Sequence, residues 1–185
     1  MNWITKFIKP KIKSLFKKRS LKNEETLWTV CQCKNLIYKE DLKTNYNCCP
    51  KCGAHHKLSC MERFQLFFDE RKFEIIETPV PKDDPLNFID NKKYTDRLKT
   101  ARKITKQDDA VSIAKGKLNN IEVTVGAQDF RFIGGSFGAA SGEAFIAGVQ
   151  HAIENKTPFI FFSCSGGQRM MESAIALMQM SRTTL

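Results

Sequence analysis

One stretch constrains the fold more than any other: Phe159-Ile-Phe-Phe-Ser-Cys-Ser-Gly-Gly-Gln-Arg-Met-Met171. A Phe-rich apolar run of this length reads as a buried strand. It breaks at Ser165-Gly166-Gly167 and resumes at helical spacing through Met170, Ile175, Leu177 and Met178. A strand that ends in paired glycines and turns into a helix predicts backbone N–H groups free at the helix N-terminus. Such donors suit an anion or a developing oxyanion, and glycine puts no Cβ in the way. A second glycine pair, Gly134-Gly135, precedes a predicted helix over 139–154, so the same device is expected twice.

The elements around these pairs predict an α/β body. Segments 111–117 and 121–126 alternate like paired strands about Asn119-Asn120, a hairpin signal. Segment 128–133 reads as a third strand. Upstream, helices are expected over 61–71 and 92–104, with a short strand over 73–77. The organisation read from the chain is four segments: a basic arm (1–26), a Cys-rich module (27–57), a linking α/β segment (58–110) and the body (111–185).

Charge is unevenly placed. Residues 1–22 hold Lys6, Lys9, Lys11, Lys13, Lys17, Lys18, Arg19 and Lys22 and no acid, so eight of the net +10 charges sit there. Within the arm, Ile4, Phe7, Ile8, Ile12, Leu15 and Phe16 recur at roughly helical spacing. The arm reads as a solvated end, or as a contact for nucleic acid or anionic lipid. No apolar run reaches membrane-spanning length, and no secretory signal pattern is present. A cytoplasmic protein is expected.

Six of the seven cysteines fall between Cys31 and Cys60. Without a secretory signal, that clustering favours a metal over disulfides. Cys49-Pro-Lys-Cys52-Gly53 is a tight knuckle able to present two thiolates to one Zn²⁺. Cys31-Gln-Cys33 supplies the second pair, although its spacing is one residue shorter than usual. Cys48, His55, His56 and Cys60 are alternative ligands. Four protein ligands leave no open position, so one structural Zn²⁺ is expected on Cys31, Cys33, Cys49 and Cys52.

Nucleophilic readings fare poorly. Gly134-Gly-Ser-Phe-Gly138 matches a hydrolase elbow around Ser136. The one downstream histidine, His151, shares a predicted helix with Glu143, and no Asp follows Asp129, so a triad is not expected. Cys164 reads as a core residue of the strand. Neither glycine pair continues into a nucleotide-binding loop.

In order along the chain, Met1-Asn-Trp3, Leu27-Trp-Thr29, Cys49-Pro-Lys-Cys52, Lys93-Tyr-Thr-Asp-Arg-Leu98 with Ala101, Asp109-Ala-Val111, Phe132-Ile-Gly-Gly-Ser-Phe-Gly138 and Ser163-Cys-Ser-Gly-Gly-Gln-Arg-Met170 resemble the carboxyltransferase beta subunit of bacterial-type acetyl-coenzyme A carboxylase. The resemblance implies an N-terminal zinc ribbon followed by an incomplete crotonase-like (ββα) domain. It implies transfer of a carboxyl group from carboxybiotin to acetyl-CoA, giving malonyl-CoA for fatty-acid synthesis. It also implies backbone donors at Gly166, Gly167 and Gln168 for the acyl oxygen, and an acetyl-CoA site shaped by Gly134 and Gly135. The implied partners are a carboxyltransferase alpha subunit (in a heterotetramer of two alpha and two beta chains), the biotin carboxyl carrier protein and biotin carboxylase. Family members continue past residue 185, so a truncated or split subunit, inactive alone, is expected. The alternatives are a zinc-ribbon nucleic-acid-binding protein that uses the ribbon and basic arm, and a catalytically inactive remnant.

Overall fold

The hairpin signal at Asn119-Asn120 seeds the main sheet. Both asparagines take positive φ, 51° and 66°, as a tight two-residue turn requires. The Asp69 carboxylate accepts from both of their N–H groups, at 3.0 and 2.9 Å. In this computed structural model, which describes residues 27–184, the turn joins two antiparallel strands. Counting from the N-terminus these are β4 (Val111–Leu118) and β5 (Ile121–Gln128). The basic arm lies outside the described residues.

The described chain divides into two compact units, with the boundary between Ala54 and His55. In the first, β1 (Trp28–Val30) pairs antiparallel with β2 (Leu36–Tyr38), followed by the short helix α1 (Lys39–Thr44). Its small core is Cys31, Ile37, Leu42 and Cys49. A core this small suits a module closed by a metal rather than by apolar burial.

The second unit contains a four-stranded sheet in which β4 and β5 are flanked by one further strand on each side. Strand β3 (Phe73–Ile76) lies antiparallel to β4, so segment 58–110 is built into the same sheet as the body. Strand β6 (Phe159–Phe162) lies parallel to β5, reached through helix α4 (Ala139–Asn155). Helix α2 (Cys60–Phe67) begins with a capping box. Ser59 Oγ accepts from the Glu62 N–H, and the Glu62 carboxylate accepts from the Ser59 N–H at 2.8 Å. Phe64 of α2, with Phe68 just beyond it, packs on one sheet face against Ala114, Val123, Val125 and Ala127. On the other face Val111 and Ile113 pack with Ala144 of α4, Phe137, Phe159 and Phe161. Both faces are therefore covered, which is why β5 is buried at nearly every position from Val123 onward. Helix α3 (Tyr94–Thr105) buries Tyr94, Leu98, Ala101 and Thr105, one stripe at helical spacing. Its stripe joins Ala110, Phe132 and Met171 in a separate cluster beneath the glycine loops.

Three expectations are corrected. Segment 128–133 is not a strand: the chain leaves the sheet after Gln128. The Asp129 carboxylate accepts from the Arg131 N–H at 2.8 Å and from its guanidinium, turning the backbone, and β6 takes the place beside β5. The last helix, α5 (Ala174–Thr184), starts later than the spacing implies. A 3₁₀ turn (Met170–Glu172) and Ser173, at φ 47°, intervene. Its buried residues are Ala176 and Gln179, whereas Leu177 and Met178 are exposed. Cys164 is exposed beyond the end of β6 rather than packed in the core. Among the described residues no helix is long and apolar enough to cross a membrane.

Candidate functional site

Four thiols define the first candidate centre. The Sγ atoms of Cys31, Cys33, Cys49 and Cys52 all lie within 4.8 Å of one another. The Cys31–Cys52 and Cys33–Cys49 pairs stand at 3.6 and 3.9 Å. Thiolates at the corners of a tetrahedron with metal–sulfur bonds of about 2.3 Å would be about 3.8 Å apart. The cysteines form no disulfide. The short Cys-x-Cys spacing is therefore compatible with closure, because the Cys31–Asn35 turn brings both thiols inward. In that turn the Cys31 N–H donates to Asn35 O at 3.0 Å, and Lys34 takes positive φ. The Asn35 side-chain amide donates to Cys33 Sγ at 3.3 Å and holds that thiol down to about 6. Burial raises the Cys49 thiol, but the backbone N–H groups of Cys52 and Lys51 outweigh it and hold it below its usual range. The Ala54 N–H lowers the Cys52 thiol, but the neighbouring thiols, Cys49 first, outweigh that donor and push it up to about 12. Four thiolates this close repel one another unless a cation sits among them. The donor set fits a divalent metal ion. Cys60 does not join it: that thiol is buried in the second unit and donates to Ala127 O at 3.1 Å.

The second centre is the meeting of the two glycine loops. The Gly166 N–H donates to Gly134 O at 2.9 Å. Phe137 bridges Gln168 in parallel: the Phe137 N–H donates to Gly167 O, and the Arg169 N–H to Phe137 O, both at 2.9 Å. From the end of β5, the buried Gln128 amide clamps both loops. Its Nε2 donates to Gly135 O at 2.6 Å, and its Oε1 accepts from the Cys164 N–H at 3.1 Å. Gly135, at φ 64°, lies so close that a Cβ there would stand 2.1 Å from Cys164 O. Gly167, at φ 120°, has no neighbour within 4 Å of where a Cβ would be.

The sequence-predicted donors are thus together, but not at a helix end. The Gly166 N–H is committed to the other loop. The Gly167 N–H donates to Ser165 Oγ at 3.0 Å on an exposed turn. The Gln168 N–H has no partner among the described residues, while its side-chain amide, oriented with the nitrogen toward the two carbonyls, donates to Phe137 O and Ala176 O at 3.0 and 2.8 Å. The N-terminus of α4 is likewise occupied: the Glu172 carboxylate accepts from the Ala139 N–H at 2.6 Å.

Sequence reasoning missed what lies beneath the loops. The Arg169 guanidinium is fully buried. It donates to both Asp109 oxygens at 2.5 and 2.8 Å, to Ser136 O at 2.6 Å, and to Ser136 Oγ at 3.2 Å. Tyr94 Oη donates to Glu172 Oε1 at 2.5 Å and accepts from Arg169 at 3.3 Å. Ser141 Oγ donates to Asp109 at 2.7 Å. Burial raises the Tyr94 phenol, so it stays protonated. Burial alone would lower Arg169, but Asp109 outweighs it. The only available signal was that Tyr94, Asp109, Ser136 and Arg169 each sit inside a separate short motif.

The hydrolase elbow fails on geometry. Ser136 Oγ faces Arg169, whereas His151 Nδ1 is paired with Thr124 Oγ1 at 3.1 Å.

Comparisons with known proteins agree with this architecture. The chain is 49% identical over its whole length to the acetyl-coenzyme A carboxylase carboxyl transferase subunit beta of Pelagibacter ubique, of which it spans 61%. It is 43% identical, again over its whole length, to the protein of the same name in Gluconacetobacter diazotrophicus, of which it also spans 61%. Among solved structures it resembles transcarboxylase 12S, solved with methylmalonyl-coenzyme A and methylmalonic acid bound. That likeness has a TM-score of 0.50 at 24% identity, over 68% of this chain and 22% of that one, and it concerns the fold. The second unit is accordingly a crotonase-like α/β fold. Residues 82–184 match the carboxyl transferase domain, so the chain belongs to the carboxyl transferase family.

Proposed function

We propose that this chain forms the acyl-CoA half of a biotin-dependent carboxyltransferase, as the beta subunit of acetyl-CoA carboxylase. The observation that carries the reading is the pairing of the two glycine loops, with Gly166 set against Gly134 and Gly167-Gln168 against Phe137. Carboxybiotin, a substrate carried on the biotin carboxyl carrier protein, releases CO₂ and leaves a biotin anion. That anion removes a proton from the acetyl methyl group of acetyl-CoA, and the resulting enolate carbon attacks CO₂ to give malonyl-CoA. No protein base is required, which suits a site without a triad. The chain's task is to hold the thioester oxygen as it gains charge, using donors already in place. The Gln168 N–H is the open donor, and the Gly167 N–H becomes a second when the exposed Ser165 hydroxyl yields it to the thioester oxygen. Gly166 ties the loops together, and Gly134 and Gly135 shape the acetyl-CoA side.

In this reading Cys31, Cys33, Cys49 and Cys52 hold one Zn²⁺ with no open position, so the ion folds the ribbon and takes no part in carboxyl transfer. The partners are the alpha subunit, in a heterotetramer of two alpha and two beta chains, the biotin carboxyl carrier protein and biotin carboxylase, in the cytoplasm.

The test is reconstitution. The chain is mixed with alpha subunit, carboxylated carrier protein and acetyl-CoA. Because it spans about three fifths of its relatives, the part of a relative's beta subunit that it does not cover is supplied as a separate polypeptide. Malonyl-CoA, detected by mass spectrometry, is expected from the full mixture and not from the chain alone. Silence of this mixture, alongside turnover by a relative's full-length beta subunit, would defeat the reading.

A further inference from the structure

The buried cluster below the loops is not used by the chemistry above, and its construction is specific. It joins α3 (Tyr94), the bend two residues before β4 (Asp109), the first glycine loop (Ser136), α4 (Ser141) and the second glycine loop with its 3₁₀ turn (Arg169, Glu172). Three of its bonds act on the loops' main chain or on the helix that follows. Arg169 holds Ser136 O at 2.6 Å from its side chain and Phe137 O at 2.9 Å from its own N–H, so one residue grips adjacent carbonyls of the opposite loop. Glu172 then reaches the Ala139 N–H, just past that loop.

A buried ion cluster is a poor source of net stability, because desolvating the charges consumes most of what the pairing returns. Well-packed apolar side chains would fill the space at equal or lower cost. They could not direct bonds at particular carbonyls. The cluster also carries two carboxylates against one guanidinium. The surplus negative charge lies at the positive end of α4, where Glu172 takes the position an anionic ligand would otherwise claim. Ligand recognition is thereby left to the loop backbone.

We propose that Arg169 and Tyr94 are positioning residues: they lock the two glycine loops in register, and with Glu172 they close the N-terminus of α4, so that loop N–H groups alone meet the acyl oxygen. The assignment of an acyl oxygen rests on the carboxyltransferase reading; the locking of the loops does not.

Tyr94→Phe removes one hydroxyl from a fully buried ring and keeps its shape, so it is the mildest probe. Arg169→Lys keeps the charge but loses the planar fork, and Arg169→Met removes both. Amide hydrogen exchange is measured on the full chain. In Tyr94→Phe the Gly166, Phe137 and Arg169 amides, which make the inter-loop bonds, should exchange about tenfold faster or more. Amides of β4 and β5 should hold their protection. In the reconstituted complex, the same variant should lower kcat about tenfold or more and leave KM for acetyl-CoA within about threefold, as expected when transition-state contacts are misplaced. Arg169→Lys, although it keeps the charge, should show the same faster loop exchange and lower kcat. Uniform loss of protection across sheet and loops, or loops as protected in Tyr94→Phe and Arg169→Lys as in the parent chain, would overturn the proposal. If the parent complex makes no malonyl-CoA, the carboxyltransferase reading falls, and the exchange data still decide whether the cluster locks the loops. Should Arg169→Met fail to fold, Tyr94→Phe carries the test.

Discussion

Gly134 and Gly135 are neighbours with nearly the same backbone, at φ 66° and 64°, yet their surroundings differ completely. Replacing either with alanine forces an L-residue into the left-handed region, at about 1–2 kcal/mol. At Gly134 the added methyl meets nothing within 4 Å, so the cost should stop there. At Gly135 the methyl would lie 2.1 Å from Cys164 O and 3.3 Å from Phe130 Cα. The loops must separate by roughly 1 Å, a strain of about 1–3 kcal/mol of the kind produced by overpacking. Separation also stretches the Gln128 clamp, whose two bonds to Gly135 O and Cys164 N are worth about 1 kcal/mol each. Gly135→Ala should therefore cost about 3–6 kcal/mol against about 1–2 for Gly134→Ala. For a unit of this size that is a fall in melting temperature of about 10 °C or more against about 5 °C. Thermal unfolding of the full, metal-loaded chain, followed by far-ultraviolet circular dichroism, makes the comparison. Equal, mild losses in the two variants would refute the claimed contact between the loops.

Three further outcomes follow from the cysteines. Elemental analysis of metal-replete protein should find about one Zn²⁺ per chain, lost on Cys33→Ser or Cys52→Ser and retained on Cys48→Ser; retention in all three would remove the assigned ligand set. Chelator should separate the Trp28–Tyr38 ring pair, read as a change in tryptophan fluorescence, while the sheet unit keeps its circular dichroism, since each is a separate compact unit. Burial, then the nearby Asp129, pushes the Cys60 thiol up to about 11 from an ordinary 9.0. Its folded value lies above its unfolded one, so the unfolded chain loses the proton first as pH rises. Stability from this group is complete below about pH 9 and declines as pH climbs toward about 11, by on the order of 2 kcal/mol. Urea titrations across that window should show the decline in the parent chain and a flatter profile in Cys60→Val.

The local signals in this chain were strong where the physics is local. Asn119-Asn120 dictates a hairpin because few residues other than asparagine and glycine tolerate its dihedral angles. Cys49-Pro-Lys-Cys52 presents two thiols to one point whatever surrounds it. The apolar stripe of α3 follows from burial periodicity; the Phe-rich run does form strand β6, but a half-buried one at the edge of the described sheet rather than a buried one. The motifs at Gly134 and Gly166 could also be read as a matched pair, because glycine spacing and a family resemblance both survive in the linear sequence.

What tertiary structure decided depends on partners far apart in the chain. Segment 128–133 has the composition of a strand, yet Asp129 turns it out of the sheet, and β6, more than thirty residues later in sequence, takes the neighbouring place. Arg169 and Glu172 read as the first turn of a helix. Drawn into a cluster with Tyr94 and Asp109, they delay that helix to Ala174 and fill the end of α4 with a carboxylate. No window of sequence contains that cluster, because its members lie up to 78 residues apart. A buried charge can be placed only where every one of its partners arrives, and that is settled by the packed fold.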